Sequence, residues 1–97
     1  MKENEVYTLK LNSGEEVIAK IKHIQQDFII LEEPLSVAPG PQGMGLVPSM
    51  FTSEPHSDVR LNTNSISLSS PTEDSVKMKY LEATTGISIP SKKLILG

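Results

Sequence analysis

Apolar and polar residues alternate from residue 6 to residue 24, which is the pattern of half-buried β-strands. The apolar residues that recur at every second position are Tyr7, Leu9, Leu11, Val17, Ala19 and Ile21. Between the two runs, Asn12-Ser13-Gly14 has the composition of a tight turn. Two strands, at 6–11 and 16–24, are therefore predicted to form a hairpin with one buried face.

The next apolar run, Phe28-Ile29-Ile30-Leu31, has no polar side. Such a run is typical of a strand that is buried on both faces. The polar break Gln25-Gln26-Asp27 separates it from the hairpin. We expect a third strand that fills the core with one face and contacts something else with the other.

Proline and glycine dominate the middle of the chain. Residues 38–45 predict a loop, because their many chain breakers disfavour both a helix and a central strand. Residues 46–51 and 59–61 predict two parts of one long, interrupted strand, with residues 53–57 as an excursion between them. Two prolines in this stretch each remove a ladder donor. Alternation returns over residues 65–69, which predicts a short final strand.

The apolar spacing then changes to that of a helix, predicted over residues 71–85. Ser70, Pro71 and Glu73 have the form of a capping box, with Ser70 as N-cap and Pro71 at the first helical position. Gly86 stands where a left-handed C-cap would end the helix. The residues that share one helical face are Val76, Tyr80, Leu81 and Thr84. We expect this face to pack on the β-rich part of the chain or on a neighbouring subunit.

The length of 97 residues fits a single mostly-β domain spanning 1–97. We expect its β part to cover about 5–69, followed by the helix and a tail at 87–97. The tail is apolar enough to need a partner surface, and it is predicted as a short edge strand. With 4% aromatic residues and no Trp, the core must rest on aliphatic side chains.

Composition excludes several kinds of chemistry. The chain has no Cys, which excludes disulfides, thiol nucleophiles and thiolate metal sites, and favours a reducing, cytoplasmic location. No apolar run approaches the roughly 18 residues of a membrane span, and residues 1–5 lack a signal peptide's apolar stretch, so we expect a soluble protein. The net charge of −3 has the wrong sign for nucleic-acid binding through the overall field. Any such binding must be local.

Few residues form a pattern that points to catalysis or metal binding. His56 lies near Glu54 and Asp58, but one His with two loop carboxylates lacks the ligand count of a metal site. Glu32 and Glu33 are adjacent on a strand and point to opposite faces, which argues against a general acid–base pair. The three glycines in the middle loop, Gly40, Gly43 and Gly45, do not lie between a strand and a helix, as a phosphate loop requires. We therefore predict no enzyme activity and no cofactor.

A basic strip is a further possibility. Lys20, Lys22 and His23 could face phosphates from one side of the second strand. The alternative is an ordinary solvated strand face, which is the more common arrangement.

The segment from Leu11 to Leu31 resembles the first motif of the Sm/LSm family, which includes the bacterial Hfq branch. The residues that follow the order of that motif are Leu11-Asn12-Ser13-Gly14, Ala19, Ile21, Ile24-Gln25-Gln26 and Phe28-Ile29-Ile30-Leu31. Residues 59–66 keep the apolar spacing of the second motif. The pattern is similar to small Sm-like proteins encoded by phages, especially those of marine cyanobacteria.

Several recognition positions of the family are changed. The mid-strand Gly is replaced by Ala19, the base-contacting Asp by Gln25, and the uracil-reading Asn by Ile29. Asp27 stands where Hfq has a base-stacking aromatic, and Asn62-Thr63 occupies the place of the Arg-Gly pair. The helix also follows the strands, whereas family members carry theirs before them. These changes remove hydrogen-bonding and stacking groups while keeping the apolar positions of the fold.

The resemblance implies a small, open barrel of five strongly bent strands, Sm-like or SH3-like, whose edge strands pair with those of neighbouring subunits to close a homo-oligomeric ring. It also implies weak binding of single-stranded nucleic acid, RNA more than DNA, at loops that face the pore. The candidate contact residues are Gln25, Gln26, Asp27, Asn62, Thr63, Asn64, Lys22 and His23.

Two alternatives stay open. The same polar residues are common in ordinary turns. The ring itself could be a structural or protein-interaction assembly that has kept the fold and lost nucleic-acid recognition, which the negative charge and the changed positions favour.

Overall fold

Strands account for most of residues 1–85, the part of the chain that the computed structural model describes. In chain order the elements are β1 (Val6–Leu11), β2 (Glu16–Ile24), β3 (Phe28–Gly40), β4 (Gly43–Pro48), β5 (Val59–Asn62), a 3₁₀ turn (Thr63–Ser65), β6 (Ile66–Pro71) and α1 (Asp74–Thr85). The predicted mostly-β fold with a C-terminal helix is confirmed. The predictions for Gly86 and for the tail at 87–97 lie outside the described residues.

All the strands belong to one antiparallel sheet in the order β4-β3-β2-β1-β6, with β5 also paired to β3. Residues 28–31 of β3 pair with β5, and residues 35–40 pair with β4. Both short strands thus lie along the same edge of β3, as predicted for two parts of one interrupted strand. The sheet is therefore five strand positions wide.

The inner face of the sheet holds the larger aliphatic core. Its buried members are Tyr7, Leu9, Ala19, Ile21, Ile29 and Leu31, with Leu11, Val59, Leu61 and Ile66 packed against them. These residues come from every second position of β1, β2, β3 and β5, with Ile66 from β6. In β1 and β2 they lie on the face that the alternation predicted to be buried. Burial of each large aliphatic side chain contributes about 1.5–3 kcal/mol to folding.

A bulge in β3 lets this strand serve both faces of the sheet. The pairing of β3 with β2 shifts register between Glu32 and Leu35, and Glu33 adopts a left-handed backbone with φ of 50°. An extra residue on one strand reverses the faces to which the following side chains point. Leu31 therefore lies in the inner core, whereas Leu35 lies in a second core on the outer face.

Helix α1 covers this outer core. Tyr80 is the buried residue of the helix, and it packs with Val6, Ile18 and Leu35 from three strands. Val76, Leu81 and Ala83 pack around this cluster. The predicted apolar face is thus confirmed, and it packs on this chain's own sheet. No helix among residues 1–85 is long and apolar enough to cross a membrane.

The predicted start of the helix is wrong. Ser70 and Pro71 belong to β6, and Pro71 pairs with Tyr7 of β1. Just after β6, Thr72 N donates to Val6 O at 3.3 Å, and the Thr72 hydroxyl is 2.9 Å from that of Thr8. The hydrogen bonds of β6 with β1 therefore outweigh the local signal for a helix cap. The first helical hydrogen bond runs from Lys77 N to Glu73 O, 2.8 Å.

The loop predicted over residues 38–45 is also wrong, because this segment forms the hairpin of β3 and β4. Pro39 pairs with Met44, and Gly40 pairs with Gly43 around a two-residue turn. The pairing of β3 with β2 reaches only Ser36, so the hairpin projects with one edge unpaired, where a proline costs little. Gly43 supplies a left-handed φ of 107° at the turn.

Candidate nucleic-acid interface

Two polar loops meet at one end of the sheet. Residues 25–27 form the turn between β2 and β3, closed by a hydrogen bond from Gln25 N to Phe28 O, 2.9 Å. Residues 62–64 form the corner between β5 and β6. Thr63 N donates to Asp27 O at 3.0 Å, which joins the two loops directly. We call these six exposed residues the amide loops.

The turn between β1 and β2 supports this corner. The side-chain amide of Asn12 donates to Asn64 O at 2.7 Å, and its backbone N–H donates to Ser65 O at 2.8 Å. The hydroxyl of Ser67 donates to Asn12 Oδ1. Asn12 therefore holds the corner in place with hydrogen bonds, whereas the sequence predicted it only as a residue of a tight turn.

Four amide side chains of the amide loops stay free. Within residues 1–85, those of Gln25, Gln26, Asn62 and Asn64 make no hydrogen bond to the protein, and all four residues are exposed. An amide both donates and accepts, so it can pair with a base edge or with the phosphate backbone. Free amides at one place are therefore a chemical basis for recognising a polar ligand.

The basic strip carries less free charge than its sequence suggests. Lys22 Nζ lies 3.0 Å from Asp58 Oδ2, and this hydrogen bond raises the pKa of Lys22 above its usual value. Lys20 lies 3.9 Å from a Glu32 carboxylate oxygen. His23 is exposed and opposes Ile30 across the strands. The lysines are thus partly neutralised, as expected of a solvated strand face.

An aromatic–cation pair lies beside the amide loops. The guanidinium carbon of Arg60 is 3.8 Å from the centroid of the Phe28 ring. Phe28 opposes Asn62 across the strands, and Arg60 opposes Ile30. The sequence pattern alone does not indicate this pair, because the contact depends on the register of β3 against β5. The run that is apolar on both faces was the one available signal, since one face of this strand was expected to contact something other than the core.

Ile29, which the Sm resemblance aligned with a uracil-reading position, is 3% exposed and lies in the inner core. It therefore contributes to packing and not to the loop surface. Ala19, which the same resemblance aligned with a mid-strand Gly, is also fully buried there.

The other sequence candidates are paired with nearby groups. His56 Nδ1 lies 2.7 Å from Glu33 Oε2, and neither Glu54 nor Asp58 is its partner. No group of three or more potential metal ligands converges within residues 1–85. A cleft of about 300 Å³ next to α1 is lined by this pair, by Lys20 with Glu32, and by Tyr80.

No protein-family model matches the chain, and no curated protein is significantly similar to it. Function is therefore inferred from the geometry of the amide loops and of the residues around them.

Proposed function

We propose that this protein is an Sm-like subunit of a homo-oligomeric ring that binds single-stranded nucleic acid, RNA in preference to DNA, in nucleic-acid processing. The observation that carries the proposal is the hydrogen bond from Thr63 N to Asp27 O, which unites two amide-rich loops on one exposed surface. The free amides of Gln25, Gln26 and Asn62 would bind base edges, phosphates or ribose hydroxyls.

The sheet edges support assembly. Within residues 1–85, β6 pairs only with β1, whereas β4 and β5 pair only with β3. These outer edges present unpaired backbone groups, which a second copy of the chain can satisfy by adding its own strand. Leu68 on β6 is also 68% exposed, which a neighbouring subunit would cover. A ring would then repeat one weak contact in each subunit and raise affinity through effective concentration.

Charge shapes the mechanism. The chain carries −3 overall, and Lys20 and Lys22 are paired with carboxylates. Release of counterions from phosphates would therefore contribute little, and binding would rest on hydrogen bonds. We expect micromolar or weaker affinity per subunit and a shallow dependence on salt.

Light scattering on the purified protein, followed by titration of labelled oligo-U, oligo-A and oligo-dT at low and moderate salt, tests both parts of the proposal. A mass of several subunits and binding of RNA more tightly than DNA are the expected results. A monomer at micromolar concentration would overturn the ring. An intact ring that binds none of the oligonucleotides at low salt would overturn nucleic-acid binding.

The double variant Gln26→Ala with Asn62→Ala tests the location of the site. Losing two amide contacts should weaken oligonucleotide binding by about tenfold, at roughly 0.5–1.5 kcal/mol for each hydrogen bond, without changing the mass of the ring. Gln42→Ala, an exposed amide in the turn between β3 and β4, is the matched control and should leave affinity unchanged. Equal affinities for the double variant and the wild type would place the site elsewhere.

A protein-interaction ring is the second candidate. Met50 and Phe51 are 46% and 82% exposed in the segment between β4 and β5, and exposed apolar residues of this size are typical of protein contacts. The neutralised lysines favour the same candidate. An assembled ring without oligonucleotide binding would support it over the first.

A further inference from the structure

We propose that Arg60 and Phe28 form a stacking platform that holds one unpaired base of a single-stranded nucleic acid in each subunit. The proposal deepens the proposed function and rests on it. Neither residue occupies a position to which the family resemblance assigns recognition, so the platform is a feature of this chain. It supplies the base stacking that the sequence alone left out.

The geometry of the pair suits a planar ligand. The guanidinium carbon lies 3.8 Å from the ring centroid, a stacking distance. One side of Arg60 is therefore covered by Phe28, while the residue as a whole is exposed. A guanidinium that is already held by an aromatic ring offers its other face to a base with little further loss of side-chain freedom.

Arg60 is also free of ion pairs. Among residues 1–85 no carboxylate lies within salt-bridge distance of it, whereas the nearby Lys22 is bound to Asp58. Its charge and its hydrogen-bond donors therefore remain available to a ligand. This distinguishes Arg60 from the lysines of the basic strip.

The platform is continuous with the amide loops. Phe28 directly follows Asp27, and it opposes Asn62 across β3 and β5. Residues that oppose each other on neighbouring strands have Cβ atoms about 4.5–5.5 Å apart. A base stacked on Arg60 would thus lie within reach of the free amide of Asn62. Stacking and edge recognition would act on the same nucleotide.

The negative charge near the platform indicates that it binds the base of a nucleotide and not the phosphate. Asp27 lies beside Phe28 in sequence, and it is exposed. Its carboxylate repels a phosphate, but it does not oppose stacking on a π-face. We therefore expect the platform to distinguish oligonucleotides with bases from those without them.

The test compares a base-containing RNA with an abasic RNA of the same length, at moderate salt, by fluorescence anisotropy. Wild-type protein should bind the base-containing strand about tenfold more tightly, which is within the usual effect of stacking on one base. Arg60→Lys keeps the positive charge and removes the planar guanidinium. It should therefore abolish most of the preference for the base-containing strand and leave affinity for the abasic strand unchanged. The fluorescence of a 2-aminopurine base in the strand should be quenched on binding to the wild type, and less so on binding to Arg60→Lys.

Lys79→Gln, an exposed cation on α1, is the control and should retain the base preference. Light scattering on Arg60→Lys must give the wild-type mass. Equal binding of both strands by the wild type, or an unchanged preference in Arg60→Lys, would overturn the platform while leaving the proposed function standing. Binding of neither strand would overturn the proposed function as well.

Discussion

The hydroxyl of Tyr80 links α1 to two strands at once. It accepts a hydrogen bond from Lys20 N at 3.0 Å and donates one to Glu32 O at 2.8 Å. The residue is 1% exposed, so water cannot easily replace either bond. This single atom fixes the helix over the place where β3 changes faces.

Tyr80→Phe should lower the free energy of unfolding by about 1–3 kcal/mol, because it leaves two backbone groups of the strands without a partner. Urea denaturation measures this loss. Tyr7→Phe is the matched control and should lower the free energy of unfolding less, because within residues 1–85 the Tyr7 hydroxyl bonds only to the N–H of exposed Lys2. Equal losses in the two variants would contradict this role for Tyr80.

Tyr80 also makes the stability of the fold depend on pH in the alkaline range. Burial raises the pKa of Tyr80 to about 12 from 10.0, so the folded state keeps a proton that the unfolded chain loses. Its contribution is fully present below pH 10.0 and is lost as the pH rises toward about 12. The stability difference between the wild type and Tyr80→Phe should therefore shrink over this range in urea titrations. A constant difference would exclude this linkage.

At the scale of elements, the bulge in β3 is the decisive feature. Glu33 holds a left-handed φ of 50°, which costs a non-glycine residue roughly 1–2 kcal/mol and a β-branched residue more. Glu33→Val should therefore destabilise the fold by about 1–2 kcal/mol more than Glu32→Val. Glu32→Val removes the contact with Lys20, and Glu33→Val removes the hydrogen bond with His56, so each neighbour loses one surface contact and the two variants form a matched comparison in thermal denaturation. Equal midpoints would argue against backbone strain at this position.

The elements that the sequence predicted well are those governed by local pattern. The hairpin of β1 and β2 follows from the alternation of Tyr7, Leu9 and their counterparts in β2, and the apolar face of α1 follows from helical spacing around Tyr80. The errors arose where pairing with distant residues outweighed a local signal. Pro71 was assigned to a helix but pairs with Tyr7, and Pro39 was assigned to a loop but pairs with Met44.

The candidate site divides in the same way. The amide loops were predictable, because polar residues between apolar runs mark turns. Their contact through Thr63 and Asp27, and the stacking of Arg60 on Phe28, depend on which strands become neighbours. The pairing of β3 with β5 brings together residues that are about thirty positions apart in sequence. No local sequence pattern predicts which of these residues oppose each other.

At the scale of the whole molecule, the open sheet edges have a direct consequence for assembly. Leu68 is exposed on β6, so Leu68→Glu should leave the stability of the subunit unchanged. If β6 pairs with a neighbouring subunit, the buried charge should reduce the mass seen by light scattering to that of a monomer. Met78→Glu, at a site 60% exposed on α1, should keep the full mass. An unchanged mass for Leu68→Glu would remove β6 from the interface.

The change of face in β3 also affects how the protein can unfold. One continuous strand supplies Ile29 and Leu31 to the inner core and Leu35 to the outer core. Neither core can come apart without disturbing the backbone that holds the other. We therefore expect helix and sheet to unfold as one cooperative unit, so that a variant that weakens the outer core also destabilises the inner core through β3.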